Sequence, residues 1–291
     1  MFHPLIRSRS LVLFVGAIFA TGLFAQAPKL TIPQASPTAT LKQRVGLTDI
    51  EITYSRPGMK GRKIFGNLEP YGEIWRAGAN NATKVVFSTA VKIGGQEIPA
   101  GTYGLFAQIG EKEWTVILNK IAQQWGAYTY DAKDDVVRVP VKVTRLTEPV
   151  ETLTIDINDI RDESATLNLS WENARVAVPL QVDVVGVVQP QIEAVMSSDE
   201  AKKPYMAAAM FYLDHNLDLK KALGWMDAAI AQQPKGYYLH YRKAKIQAAM
   251  GDKAGATAMA NESIALAKAD AKNPASGEYV RLNEALLTTL K

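Results

Sequence analysis

Polar and apolar side chains alternate along much of the first two thirds of the chain. Asp49-Ile-Glu-Ile-Thr-Tyr54 alternates, as does Thr102 to Ile109, followed by Trp114, Val116 and Leu118. Period two is the mark of a half-buried strand. Val91 to Ile98 reads as a hairpin turning at Gly94-Gly95, because glycine adopts positive φ without a Cβ penalty. A second hairpin is predicted from Ala165, Leu167, Leu169 and Trp171 on one face, a turn at Glu172-Asn173, and Val176, Val178, Leu180, Val182 and Val184 on the return. Further short strands fit Val85–Val91, Val136–Val143 and Thr152–Ile157. Many short strands with Gly and Pro punctuation, and no helical pattern between them, predict an antiparallel β-sandwich or barrel-like body over residues 41–188.

The period then changes. Ser197 followed by Glu200 reads as a capping-box helix start. Leu219, Ala222, Leu223, Met226, Ala229 and Ile230 recur at three and four, as a buried helical face should. Ala256, Ala260 and Ser263 repeat the positions of Ala222, Met226 and Ala229 at an offset of 34 residues, the period of tetratricopeptide units. Gly251-Asp252 marks a turn between helices, and Tyr279 to Leu290 a closing helix. The array is degenerate: Ala260 stands where a bulky residue is expected, and Lys268 where the unit ends in proline. The predicted fold class is therefore α+β with segregated domains: the β body, a linker over 189–198, and a tetratricopeptide-like helical domain over 199–291. So few units do not bury their own faces, so the tail is expected to dock on the body or on a protein partner.

The first residues differ from both regions. Arg7 and Arg9 precede an apolar run from Leu11 to Phe24, followed by small residues. That run is short for a membrane span, which needs about 20 apolar residues. It has the form of a secretory signal over 1–25, cut after Ala25; an uncleaved N-terminal anchor is the alternative. Residues 26–40 are rich in Pro, Ser, Thr and Gln and read as a flexible spacer. No later stretch is apolar enough to span a membrane. The expected location is outside the cytoplasm, periplasmic or secreted. The chain has no cysteine, so it is expected to carry neither disulfides nor a lipidated cysteine, and is not a lipoprotein. Formal net charge is +4, with basic and acidic residues interspersed, which argues against nucleic acid as a partner.

One stretch of the body, Arg56 to Asn81, has no clean period and is rich in Gly, Arg and aromatic residues. A connection this long inside a compact domain is usually functional or disordered. Ile64, Phe65, Leu68, Ile74 and Trp75 call for burial, so an ordered loop or short helix over one end of the sandwich is expected. The strings Tyr54-Ser-Arg-Pro, Gly61-Arg62, Ile64-Phe65-Gly66, Pro70-Tyr71-Gly72, Trp75-Arg-Ala-Gly-Ala-Asn80, Pro99-Ala-Gly-Thr-Tyr103, Trp125-Gly126 and Tyr130 carry a resemblance. From Leu41 to Val184 the chain resembles the exported bacterial family catalogued as domain of unknown function 2911. The resemblance implies export and a β domain. It implies no activity and brings no catalytic residues.

Candidate chemistry narrows quickly. The histidines are His3, His215 and His240; the last two are expected on helix surfaces or turns. With no His or Cys in the body, Ser-His-Asp, Cys-His and imidazole or thiolate zinc sites are excluded from it. Asp156, Asn158, Asp159, Asp162 and Glu163 read as a polar turn and lack the spacing of a calcium loop. No metal and no cofactor is expected. The most suggestive group is Arg56, Arg62, Arg76 and Asn80, whose forked and amide donors suit anionic or polar groups, with Trp75, Trp125, Tyr128 and Tyr130 able to stack on a sugar or aromatic ligand. Arginines paired with Glu51, Glu69, Glu73 or Asp135 and aromatics in the core are the structural alternative. The sequence thus favours a non-enzymatic module binding a small polar ligand or glycan through the Arg- and Trp-rich loop 56–81, with a tail for protein interaction. The rivals are a carboxylate-based glycan hydrolase using two acids among Glu69, Glu73, Asp131, Asp134 and Asp135, and a structural assembly factor without a ligand.

Overall fold

The computed structural model describes Met1 and residues 30–291. The segment expected to be an export signal, apart from Met1, and the first residues of the expected spacer lie outside the described residues.

Two antiparallel sheets form the body. The larger runs in the order β1 (Thr38–Val45), β2 (Thr48–Ser55), β4 (Thr83–Phe87), β7 (Gly101–Gln108), β8 (Glu113–Asn119), β9 (Asp135–Lys142). A two-residue strand, β3 (Ile74–Trp75), pairs with the end of β7. The smaller sheet has the order β10 (Thr144–Asn158), β11 (Ser164–Val182), β5 (Val91–Ile93), β6 (Gln96–Ile98). Among the described residues the sheets face each other and do not close into a barrel. Strand β1 begins at Thr38, opposite Ser55, inside the stretch whose composition suggests a spacer.

The alternating positions face one core. Ile50, Ile52, Val85, Leu105, Val116 and Leu118 meet Leu153, Ile155, Leu167, Val176, Val178 and Leu180 from the other sheet. Four aromatic rings close one end: Phe65, Trp75 and Trp114 cluster with Trp171, and Trp75 stacks on Trp171 with centroids 5.8 Å apart.

Three expectations for the body need correction. Glu172-Asn173 is not a turn, because β11 runs unbroken through it. The buried set switches from Leu167, Leu169 and Trp171 to Ala174, Val176 and Val178 because Glu172 has φ +52° and the pairing with β10 shifts register there. A bulge re-aims side chains without reversing the chain. The span Val85–Val91 is also not one strand: β4 ends at Phe87, and the chain crosses to the second sheet before β5. The segment 56–81 takes the ordered-loop form of the two expected, with no helix, and only the burial expected of Leu68 needs correction. It buries Ile64, Phe65 and Trp75 but leaves Leu68 exposed. Glu172, turned outward at its bulge, accepts the Phe65 amide at 3.1 Å and so anchors this segment.

Six helices follow: α1 (Val184–Ser197), α2 (Tyr205–Asp214), α3 (Leu219–Gln232), α4 (Tyr237–Ala249), α5 (Lys253–Ala269) and α6 (Ser276–Thr289). The residues expected to form a linker, 189–198, lie almost wholly in α1. Ser197 ends that helix, bonding back to the Glu193 carbonyl, instead of capping the next. Asp218 and Asp252 are the caps that start α3 and α5. The tail docks on the body, since Val188 and Phe211 pack against the β core and Glu163 accepts the Val185 amide at 3.1 Å. Ala222, Met226, Ala229, Ala256, Ala260 and Ser263 are all buried. Ser263 donates to the Tyr237 carbonyl and accepts from Asn283, which ties α4, α5 and α6 together. His240 is buried, contrary to its expected surface position: its Nε2 lies 3.0 Å from the Pro234 carbonyl. Among the described residues no helix is long and apolar enough to cross a membrane.

Candidate functional site

On the larger sheet, one face packs on the core and the other carries Thr53 and Ser55 of β2 and Lys84 of β4. Thr53 lies opposite Lys84, and Lys84 opposite Gly104 of β7. The connection between β8 and β9 folds over this outer face. Phe106 and Ile117 point outward from the sheet and are buried beneath Ala127 and Tyr130 of that connection.

Buried polar side chains hold the connection in place. Asn119 donates to the Asp131 carbonyl and to Asp135, and its own carbonyl accepts the Ile121 amide. Gln124 donates to the Ile121 carbonyl and accepts from Thr129. Gln124 and Gly126 pair by backbone with Ala82 and Asn80, and Trp125 bridges to Asn81. Gly104 lets the connection lie close to the sheet, because a Cβ there would stand 2.9 Å from the Ile121 carbonyl oxygen and 2.8 Å from the Phe106 ring.

The space left between connection and sheet is a groove of about 460 Å³. Its walls include Thr38, Thr53, Ser55, Asn81, Lys84, Gln123 and Trp125. Trp125 is 64% exposed although its backbone is tied down, so its indole is presented by a rigid support. An exposed aromatic face beside hydroxyls, amides and one cation can stack on a ring and hydrogen-bond its substituents. Among the described residues no carboxylate lines the groove.

The candidate residues fall into several places. Trp125 lines the groove. Asn80 stands at its edge with φ +60°, donating to Ser55 at 3.3 Å. Tyr128 is 83% exposed on the same connection. Tyr130 packs on Phe106 and donates to Asp135 at 2.6 Å, and burial together with that carboxylate pushes its phenol up to about 12. Arg138 completes this cluster, bonding Tyr130, Asp135 and Gln108. Trp75 is 2% exposed and belongs to the aromatic core, so it offers no face to a ligand. Arg56 bonds the Leu153 carbonyl and Thr154, and Arg62 bonds the Met59 and Gly58 carbonyls; both fasten the segment to which they belong. Arg76 is half-buried with its Nε unpartnered and lies near Glu69.

The acids that would form a catalytic pair are outside the groove. Asp131 pairs with Lys133, and Asp135 with Arg138. Burial raises the Glu69 carboxyl to about 7, against the pull of Arg76. Among the described residues no cluster of three His, Cys, Asp or Glu side chains is arranged to hold a metal ion.

Sequence reasoning missed Lys84, Thr53, Ser55 and Gln123. The available signal was the outward parity of Lys84 between inward Val85 and Thr83, which marks a solvent face but says nothing of what covers it.

Fold and groove together define a two-sheet β protein with a helical C-terminal region and an aromatic-lined polar groove on its outer face. Residues 36–180 match the family described as "Protein of unknown function (DUF2911)", and the chain belongs to that family through its β body. None of the curated proteins compared with it matches the chain.

Proposed function

We propose that this is an exported cell-envelope protein, periplasmic or secreted, whose β body is a non-enzymatic module that binds a small polar ligand of the saccharide class. The observation that carries this reading is Trp125, 64% exposed yet backbone-anchored beside a groove of about 460 Å³. A sugar presents an apolar face for the indole and hydroxyls for Thr53, Ser55, Asn81 and Gln123. The lining supplies contacts for binding and no paired acid and base, which favours a binding module over the hydrolase alternative. Export rests on the signal-like residues 1–25. The helical region, in the tetratricopeptide-like reading, serves a protein partner.

The test is tryptophan fluorescence titration of the purified protein with an oligosaccharide panel, beside Trp125→Ala. Quenching or a blue shift that saturates in the native protein and is lost in the variant supports the reading. A flat response to every sugar sinks it.

A further inference from the structure

We infer that the groove selects negatively charged saccharides, with Lys84 pairing an anionic ring substituent while Trp125 stacks on the ring. The inference rests on the saccharide reading above and narrows it.

Lys84 is placed by the sheet itself. It occupies one of the two outward positions of β4, flanked across the strands by Thr53 and Gly104. The space above Gly104 is filled by the Ile121 carbonyl and the Phe106 ring, so Lys84 lines the groove between that packed connection and the Thr53 hydroxyl. Among the described residues Lys84 takes part in no ion pair. Nearby cations on the same face behave differently: Lys42 pairs with Glu51, and Arg44 with Asp49. Lys84 is also half-buried, which removes part of its hydration.

The rest of the lining has no charge to offset it. Thr38, Thr53, Ser55, Asn81, Gln123 and Trp125 are neutral. The groove therefore carries one positive charge among neutral donors and an aromatic wall. An anion entering it meets a cation whose pairing it does not have to disrupt. A neutral sugar leaves that cation unpaired and displaces some of its water. A compact ammonium serves any single oxyanion, whether the carboxylate of a uronic acid or a sulfate ester on a sugar hydroxyl.

The experiment uses the purified protein and matched sugars: oligogalacturonate against its methyl ester, and a sulfated galactan oligomer against the desulfated one, titrated by Trp fluorescence at low and high salt. The expected result is at least tenfold tighter binding of a charged member than its neutral partner at low salt. That margin should shrink as salt screens the pair. Lys84→Met should remove it and Lys84→Arg should keep it. Which pair shows the margin tells carboxylate from sulfate. Equal binding of charged and neutral members overturns this inference and leaves the saccharide reading standing. A margin that survives Lys84→Met, in a variant that melts like the native protein, overturns the role of Lys84. Failure of every sugar to bind sinks the saccharide reading and this inference with it.

Discussion

The hydroxyl of Tyr54 bonds both backbone groups of Ile155, accepting its amide at 3.0 Å and donating to its carbonyl at 3.3 Å. Tyr54 belongs to β2 and Ile155 to β10, so one buried side chain ties the two sheets together. Strand β10 is the outer strand of the smaller sheet, and its unpaired edge is a liability. The chain after Tyr54 continues the cover: Arg56 bonds the Leu153 carbonyl, Pro57 accepts the Leu153 amide, and the Met59 amide bonds the Glu151 carbonyl. Tyr54→Phe keeps the ring and strands two buried backbone groups, so a loss of about 1–3 kcal/mol is expected. Urea denaturation together with amide exchange at Ile155 checks this. Native stability with unchanged protection would show that water replaces the hydroxyl without loss.

Two tryptophans that look alike in the sequence should behave oppositely. Trp75 is buried between Phe65, Trp114 and Trp171, so Trp75→Ala should cost about 3–5 kcal/mol. Trp125 stands in solvent, so Trp125→Ala should stay within about 0.5 kcal/mol while removing ligand binding. Melting curves of the two variants, side by side, separate the roles. Equal destabilisation would mean that Trp125 is a packing residue.

The turn between β5 and β6 has two glycines with different constraints. Gly94 has φ +57° and Gly95 φ +84°, the pair of left-handed conformations that a two-residue hairpin requires. Around Gly95 there is open space, whereas a Cβ on Gly94 would lie 2.6 Å from a Val139 methyl on the opposite sheet. Gly95→Ala should cost about 1–2 kcal/mol through backbone strain alone. Gly94→Ala should cost about 1–3 kcal/mol more through overpacking. Chemical denaturation of both variants tests the order, and Gly95→Ala being the worse would contradict the inter-sheet contact.

Glu69 makes stability depend on pH. Its carboxyl rises from the ordinary 4.5 to about 7 because burial penalises the charge more than Arg76 relieves it. The unfolded chain gives up this proton at lower pH than the folded one. Its stabilising contribution is therefore complete below about pH 4.5 and is lost as pH rises to about 7. Glu69→Gln cannot ionise, so it should flatten that slope and gain on the order of 1–3 kcal/mol at pH 8. Denaturation midpoints across that range decide the matter; parallel slopes for native and variant protein would refute it.

Parity carried most of the β body. Asp49 to Tyr54, Trp114 to Leu118 and the Gly94-Gly95 turn appear as the alternation predicts, because a strand pair needs only the period-two pattern and a turn that tolerates positive φ. The same parity misled at Glu172. A switch of the buried set looks identical whether the chain reverses or bulges, and the choice depends on the partner strand, β10. Aromatic and arginine content drew attention to residues 56–81, where Arg56 and Arg62 spend their donors on carbonyls of the body and of their own segment. Which carbonyls lack partners is a property of the sheet edge and is absent from local composition.

By itself the chain determined that an alternating body precedes a helical region, that no cysteine contributes, and that Ala222, Met226, Ala256 and Ala260 would be buried. These follow from side-chain period and residue type, which act locally. Only the tertiary structure decided that Trp75 is core and Trp125 is surface, and that Lys84, Thr53 and Ser55 share a groove with residues some 40 to 70 positions away. The reason is physical: burial depends on what packs over a face. Here that is the connection held by Asn119 and Gln124 and admitted by the missing side chain of Gly104.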